Sequence, residues 1–175
     1  MKKSTFAMLL ALCAAGVSAR DLAVNDEFKG SKPDAVQPAG WVKAYATHPK
    51  IGASKVVAGK EAGKFAISVK LPPKGFSTPF VSLKRFNVKA GEVLELKAKV
   101  TGNGRFMMGY YAFNGNARIG SKDSKIFTIN GGGEFEDKLT ITKFKEKETT
   151  AIQIFFTTHP GSDLVFHEID AEIED

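Results

Sequence analysis

The fold is decided by residues 88–113, which read VKAGEVLELKAKVTGNGRFMMGYYAF. Over 92–100 the pattern alternates, with Leu94, Leu96, Ala98 and Val100 on one side and Glu95, Lys97 and Lys99 on the other. A period of two with one apolar and one charged side is a strand whose outer face meets water. Thr101-Gly102-Asn103-Gly104 then reads as a turn. Residues 105–113 form a second strand, with Phe106, Met108, Tyr110 and Ala112 on one face and Arg105, Met107, Gly109, Tyr111 and Phe113 on the other. Aromatic side chains occupy both faces. A single core needs only one apolar face, so the other is either covered by a further element or presented to a ligand.

Working outward, the same period recurs. Residues 41–46 alternate with Trp41, Lys43 and Tyr45 on one side, and 55–58 form a short strand. Residues 64–71 place Phe65, Ile67, Val69 and Leu71 inward until Pro72-Pro73-Lys74-Gly75 stops the strand. Residues 80–88 make another, with Phe80 and Phe86 on one face and Val81, Leu83 and Arg85 on the other. Beyond Phe113, Asn114-Gly115-Asn116 is a hairpin turn that tolerates positive φ, and Gly131-Gly132-Gly133 reads as a flexible break. Residues 151–158 put Ile152, Ile154 and Phe156 inward and Gln153, Phe155 and Thr157 outward. The last strand, 164–173, has Val165, His167, Ile169, Ala171 and Ile173 in phase. No stretch after residue 19 carries a helical period. About ten short strands punctuated by Gly, Pro and Asn argue for an all-β protein, a two-sheet antiparallel β-sandwich in one domain spanning 20–175.

Residues 1–19 read as a signal peptide. Lys2 and Lys3 are a basic start, 6–15 an apolar run too short to span a bilayer, and Val17-Ser18-Ala19 a small-residue cleavage site before Arg20. The expected location is therefore secreted or periplasmic, with no membrane span in the mature chain. Cys13, the only cysteine, lies in the apolar run behind Leu12, which is too large for a lipoprotein signal. The mature domain thus lacks disulfides, thiol nucleophiles and zinc-thiolate sites. The formal net charge of +6 falls by two once Lys2 and Lys3 are removed, and the remaining lysines are spread along strands and turns. That distribution argues against nucleic acid as partner and is compatible with a polyanionic glycan.

The order Asn25-Asp26-Glu27-Phe28-Lys29-Gly30, Pro38-Ala39-Gly40-Trp41, Ala62-Gly63-Lys64-Phe65-Ala66-Ile67, residues 88–96 and Phe166-His167-Glu168-Ile169 resembles the family 4/9 carbohydrate-binding modules over nearly all of the mature chain. The resemblance implies a jelly roll of galactose-binding-like topology without catalytic activity. Its implied partner is a poly- or oligosaccharide, bound alone or as part of a secreted or cell-surface glycan-degrading assembly. That family often ties a structural calcium to a glutamate directly after the phenylalanine, and here Lys29 stands at that position. A cation cannot replace an oxygen ligand, so calcium would need Glu27, Asp163, Glu168 and Asp170 to supply the donors. No other cofactor is implied.

Tyr111 and Phe155 are the candidate ligand-binding residues, because each falls on the outward phase of a strand whose inward phase is already apolar. Flat aromatic faces pack against the C–H groups of sugar rings, and Gln153 and Arg105 on the same phases supply planar hydrogen-bond partners. Phase alone does not separate this reading from a second core layer covered by a loop. Trp41, following glycine at a strand start, reads as a core anchor. A polysaccharide lyase assembled from Arg105, Gln153, Tyr111 and His48 is the catalytic alternative, and a structural cell-surface subunit the third. His48 and His159 precede prolines in loops, His167 is expected inward, and no histidine pair has the spacing of a local metal site. There is no nucleophile elbow and no phosphate loop. The exported protein is expected to begin within a residue or two of Arg20, and its intact mass measures this directly; retention of Met1 or a lipid on Cys13 would refute it.

Overall fold

A computed structural model describes residues 19–48 and 50–174; the expected signal peptide, residues 1–19, falls almost wholly outside them. Eleven strands occur, with no helix among the described residues: β1 (Arg20–Asp21), β2 (Trp41–Lys43), β3 (Ala53–Ala58), β4 (Phe65–Lys70), β5 (Thr78–Ser82), β6 (Phe86–Asn87), β7 (Val93–Asn114), β8 (Ala117–Asp123), β9 (Phe127–Thr140), β10 (Ala151–Thr158) and β11 (Asp163–Glu174). All strand pairings are antiparallel, in the order β2-β5-β10-β7-β11-β4-β3, with β8 and β9 also on β7, β6 on β10 and β1 on β11. The fold is all-β, as expected: one hydrogen-bonded sheet curled on itself into a jelly-roll sandwich.

The curl is made within β7, and here the expected turn at residues 101–104 is corrected. The chain does not reverse there. β7 runs for 22 residues, its first half between β11 and β9 and its second between β10 and β8. Gly102 and Gly104 have φ of +115° and +141°, values that side chains avoid. A Cβ on Gly102 would lie 2.1 Å from the Asp163 carbonyl oxygen, and one on Gly104 2.4 Å from the Ser162 Cβ. The expected flexible break at Gly131-Gly132-Gly133 is likewise part of a strand: these residues pair with Gly102, Thr101 and Val100 inside β9. Glycines thus face each other across two strands because both must bend at one corner.

Inside the curl the expected inward residues meet. Leu94, Leu96, Ile67, Phe106, Met108, Ile152 and Ile154 are fully enclosed, and Trp41 is the core anchor expected of it. An aromatic chain joins the two halves: Phe80 stacks on Phe156 at 5.0 Å between centroids, Phe156 meets Phe166 at 4.7 Å, and Phe166 meets Phe106 at 5.4 Å. The irregular lead-in is locked beneath this cluster by Asn25, whose Nδ2 donates to the carbonyls of Ala39 (2.7 Å) and Lys29 (3.0 Å). The Trp41 indole N–H donates back to the Asn25 carbonyl at 3.3 Å. The quoted Asn25 and Gly40-Trp41 motifs are therefore two halves of one clasp.

Two further readings change. Residues 80–88 are split into β5 and β6, both lying along β10, with Leu83-Lys84-Arg85 between them. In β11 the register shifts between Phe166 and Glu168, so Phe166 points inward and His167, expected inward, lies half-buried on the outer side with Nε2 2.9 Å from the Thr101 hydroxyl. A bulge adds one residue and so inverts every side assigned by counting in twos. Leu96→Ala is expected to cost about 2–5 kcal/mol. Gly102→Ala adds about 1–3 kcal/mol of backbone strain to its clash, whereas Gly133→Ala, in ordinary φ with its nearest contact at 3.5 Å, should be close to neutral; urea midpoints of the three variants test the corner.

Candidate functional site

The outer face of the half formed by β5, β10, the second half of β7, and β8 is set by register. One row runs Val42, Val81, Phe155, Gly109, Asp123; the next holds Gln153, Tyr111 and Ser121; a third holds Ala151, Phe113 and Arg118. Gly109 opens a slot in the first row: a Cβ there would lie 2.6 Å from the Phe155 ring. Phe155 sinks into that slot and is 2% exposed. Tyr111 rests against it with centroids 4.7 Å apart and planes tilted by 31°. Tyr111 stays half-buried at the surface. Burial raises its pKa, aided by the Tyr45 phenol and the Asp123 carboxylate and opposed by Arg118.

Structure therefore brings Tyr111, Phe155 and Gln153 together. Gln153 faces Tyr111 across the ladder and donates from Nε2 to the Ser82 carbonyl at 2.8 Å, which orients the amide and leaves its oxygen free for another donor. Arg105 is not in this group. It lies six residues earlier on β7, about 20 Å along the strand, where its carbonyl accepts from the His159 amide at 2.9 Å. His48, the remaining member of the catalytic alternative, holds its ring 4.6 Å from that of Phe76, tilted by 44°, in a loop-end cavity of about 320 Å³ with Tyr45, Ile51 and Ser77.

Two side chains that phase did not select complete the face. Arg118 sets its guanidinium 3.6 Å from the Tyr111 ring centroid, and Arg85 sets its own 3.9 Å from that of Phe113. Arg85 reaches Phe113 from the gap between β5 and β6, and Arg118 comes from the bulged hairpin end of β8, where the register shifts at Ala112/Phe113. Periodicity places Arg85 on the face shared with Val81 without selecting it as a site residue, and Arg118 carries no such mark; only the aromatic outward phase of β7 hints that something must cover it.

The outer face of the other half is different in kind. A cavity of about 310 Å³ is bordered by Glu27, Lys60, Lys64, Lys99, Thr101 and His167, and most of its charges, Lys60 excepted, are paired with one another. Glu27 takes the ammonium of Lys29 at 2.7 Å and that of Lys64 on its other oxygen, while Lys99 meets Glu168 at 2.7 Å. The two lysines hold the Glu27 carboxyl at about 2, and Glu27 in turn raises the pKa of both. Lys29 and Lys64 thus occupy the carboxylate that a calcium would need, and no group of three or more His, Cys, Asp or Glu side chains with metal-binding geometry occurs among the described residues. No helix of the described residues is long and apolar enough to cross a membrane.

No family model matches the chain, and no curated protein sequence matches it. Solved structures do. A cyclase from Fischerella sp. TAU superposes with a TM-score of 0.67 at 10% identity, covering 90% of this chain and 98% of that one. The CBM22-1 xylan-binding domain from Paenibacillus barcinonensis gives 0.53 at 9% identity over 86% and 92%. The CBM22-1-GH10 modules of the Clostridium thermocellum xylanase 10B, complexed with xylohexaose, give 0.54 at 15% identity, with this chain spanning 28% of that protein's length. These likenesses define the class, an all-β jelly-roll sandwich used both by carbohydrate-binding modules and by a cyclase.

Because the folded pKa of Glu27 lies below its ordinary value of 4.5, the stability it contributes is complete above pH about 4.5 and is lost as pH falls toward about 2. Glu27→Gln should remove that portion of the acid-induced loss, which urea midpoints measured across this window will show.

Proposed function

We propose that this protein is an exported, non-catalytic carbohydrate-binding module that holds a poly- or oligosaccharide on the outer face of the β5-β10-β7-β8 half, alone or beside glycan-degrading enzymes. The observation that carries the reading is Tyr111, a half-buried ring in the middle of a sheet face whose opposite side is already filled by Phe106, Met108 and Tyr110. With Phe155 and the Arg118 guanidinium against the ring, a sugar meets the Tyr111 edge and hydroxyl, and Gln153 beside it offers a planar amide to hydroxyls. Phe155, enclosed in the Gly109 slot, holds Tyr111 in place and does not itself meet the ligand. The resemblance to family 4/9 modules and the likeness in fold to xylan-binding domains support the same reading.

A glycan array on the mature protein tests the proposal, followed by two variants. Tyr111→Ala should lower glycan affinity by more than about 2 kcal/mol and leave the thermal midpoint in place. Phe155→Ala should instead destabilise by about 3–5 kcal/mol, the usual effect of emptying a buried phenylalanine site. An array without hits, or a Tyr111→Ala protein that binds as before, would overturn the assignment.

A further inference from the structure

We infer that the ligand is an anionic glycan, one carrying carboxylate or sulfate groups, bound by Arg85 and Arg118; this rests on the binding face proposed above. Both guanidiniums sit over rings of the same strand face, with the guanidinium carbon of Arg118 3.6 Å from the Tyr111 centroid and that of Arg85 3.9 Å from the Phe113 centroid. Tyr111 and Phe113 are alternate residues of β7, about 6–7 Å apart along the strand. A guanidinium stacked on a ring keeps its in-plane N–H edge free, and that edge matches the paired oxygens of a carboxylate or sulfate. Stacking also fixes the side chain in advance, so less conformational freedom is lost when an anion binds.

Arg85 and Arg118 combine a ring contact with the lack of a carboxylate partner among the described residues. Among the described residues the only arginine in an ion pair is Arg20, with Glu92. On the opposite half, by contrast, Lys64, Lys97, Lys99 and Lys138 are paired with Glu27, Glu61, Glu95, Glu168 and Glu174. Asp123, in the row beside Tyr111, influences the phenol but forms no ion pair with Arg118. Two cations without carboxylate partners, both anchored on the aromatic face, leave that face with an unbalanced positive charge.

Matched polymer pairs test this: polygalacturonate against its methyl ester, and dextran sulfate against dextran, measured by titration at low and high salt. The charged member of at least one pair should bind more tightly, and which pair responds distinguishes carboxylate from sulfate. Arg118→Gln and Arg85→Gln should each weaken that binding by about tenfold or more, the equivalent of one charge-assisted hydrogen bond, with unchanged thermal midpoints. Arg118→Lys should be only partly active, since it keeps the charge and loses the fork. Lys55→Gln, which removes an exposed cation from β3 on the far edge of the other half, should have no effect. Equal affinity for charged and uncharged members, an equal loss in Lys55→Gln, or no binding of either charged polymer overturns the inference. Hits confined to neutral glycans would refute it while leaving the carbohydrate-binding assignment standing.

Discussion

β7 crosses between the two layers of the sandwich without leaving its hydrogen-bonded ladder, and the rest of the fold hangs on that crossing. It pairs with β9 and β11 before the corner and with β8 and β10 after it. Bending a strand while keeping both edges paired needs backbone angles open to glycine and close approach by a neighbouring chain. Gly102 and Gly104 meet both conditions, with the Asp163 carbonyl and Ser162 in the space their side chains would fill. The Ser162 hydroxyl oxygen then accepts a hydrogen bond from the Arg105 amide at 2.9 Å. Glycine costs conformational entropy in a strand; here it keeps four ladders continuous.

Once the corner has brought the layers face to face, aromatic packing holds them. Phe80, Phe156, Phe166 and Phe106 form one path of ring contacts from β5 to β7, and Trp41 and Phe28 join it from the lead-in. Each fully buried phenylalanine contributes about 1.5–3 kcal/mol by leaving water. The exposed lysine–glutamate pairs of the opposite face contribute much less, about 0–1 kcal/mol each at the surface. The segment before β2 has no apolar period of its own and is ordered by this cluster and by the Asn25 clasp.

The two outer faces follow from the same strand in different surroundings. Before the corner, β7 presents Glu95, Lys97 and Lys99, which neighbours neutralise. After it, Tyr111 and Phe113 are presented, and the cations that reach them find rings in place of carboxylates. A sandwich of this kind is a scaffold for unrelated activities, as the likeness to both a cyclase and xylan-binding domains illustrates. Function must therefore be argued from the face that carries surplus aromatic and cationic groups.

Alternation by itself determined the all-β class, the inward sets Leu94/Leu96, Phe106/Met108 and Ile152/Ile154, and the outward position of Tyr111, Phe155 and Gln153. These follow from local geometry, because successive side chains on a strand point to opposite sides whatever lies beyond. Three matters were decided only by tertiary structure. Gly102 and Gly104 read as a turn because glycine marks reversals and bends alike, and only the approach of Asp163 and Ser162 selects the bend. His167 changed sides because a bulge adds a residue without any mark in the local pattern. Phe155 became a support and Arg85 and Arg118 joined the face because burial and ring stacking depend on which strands become neighbours, and a period of two carries no information about the neighbour.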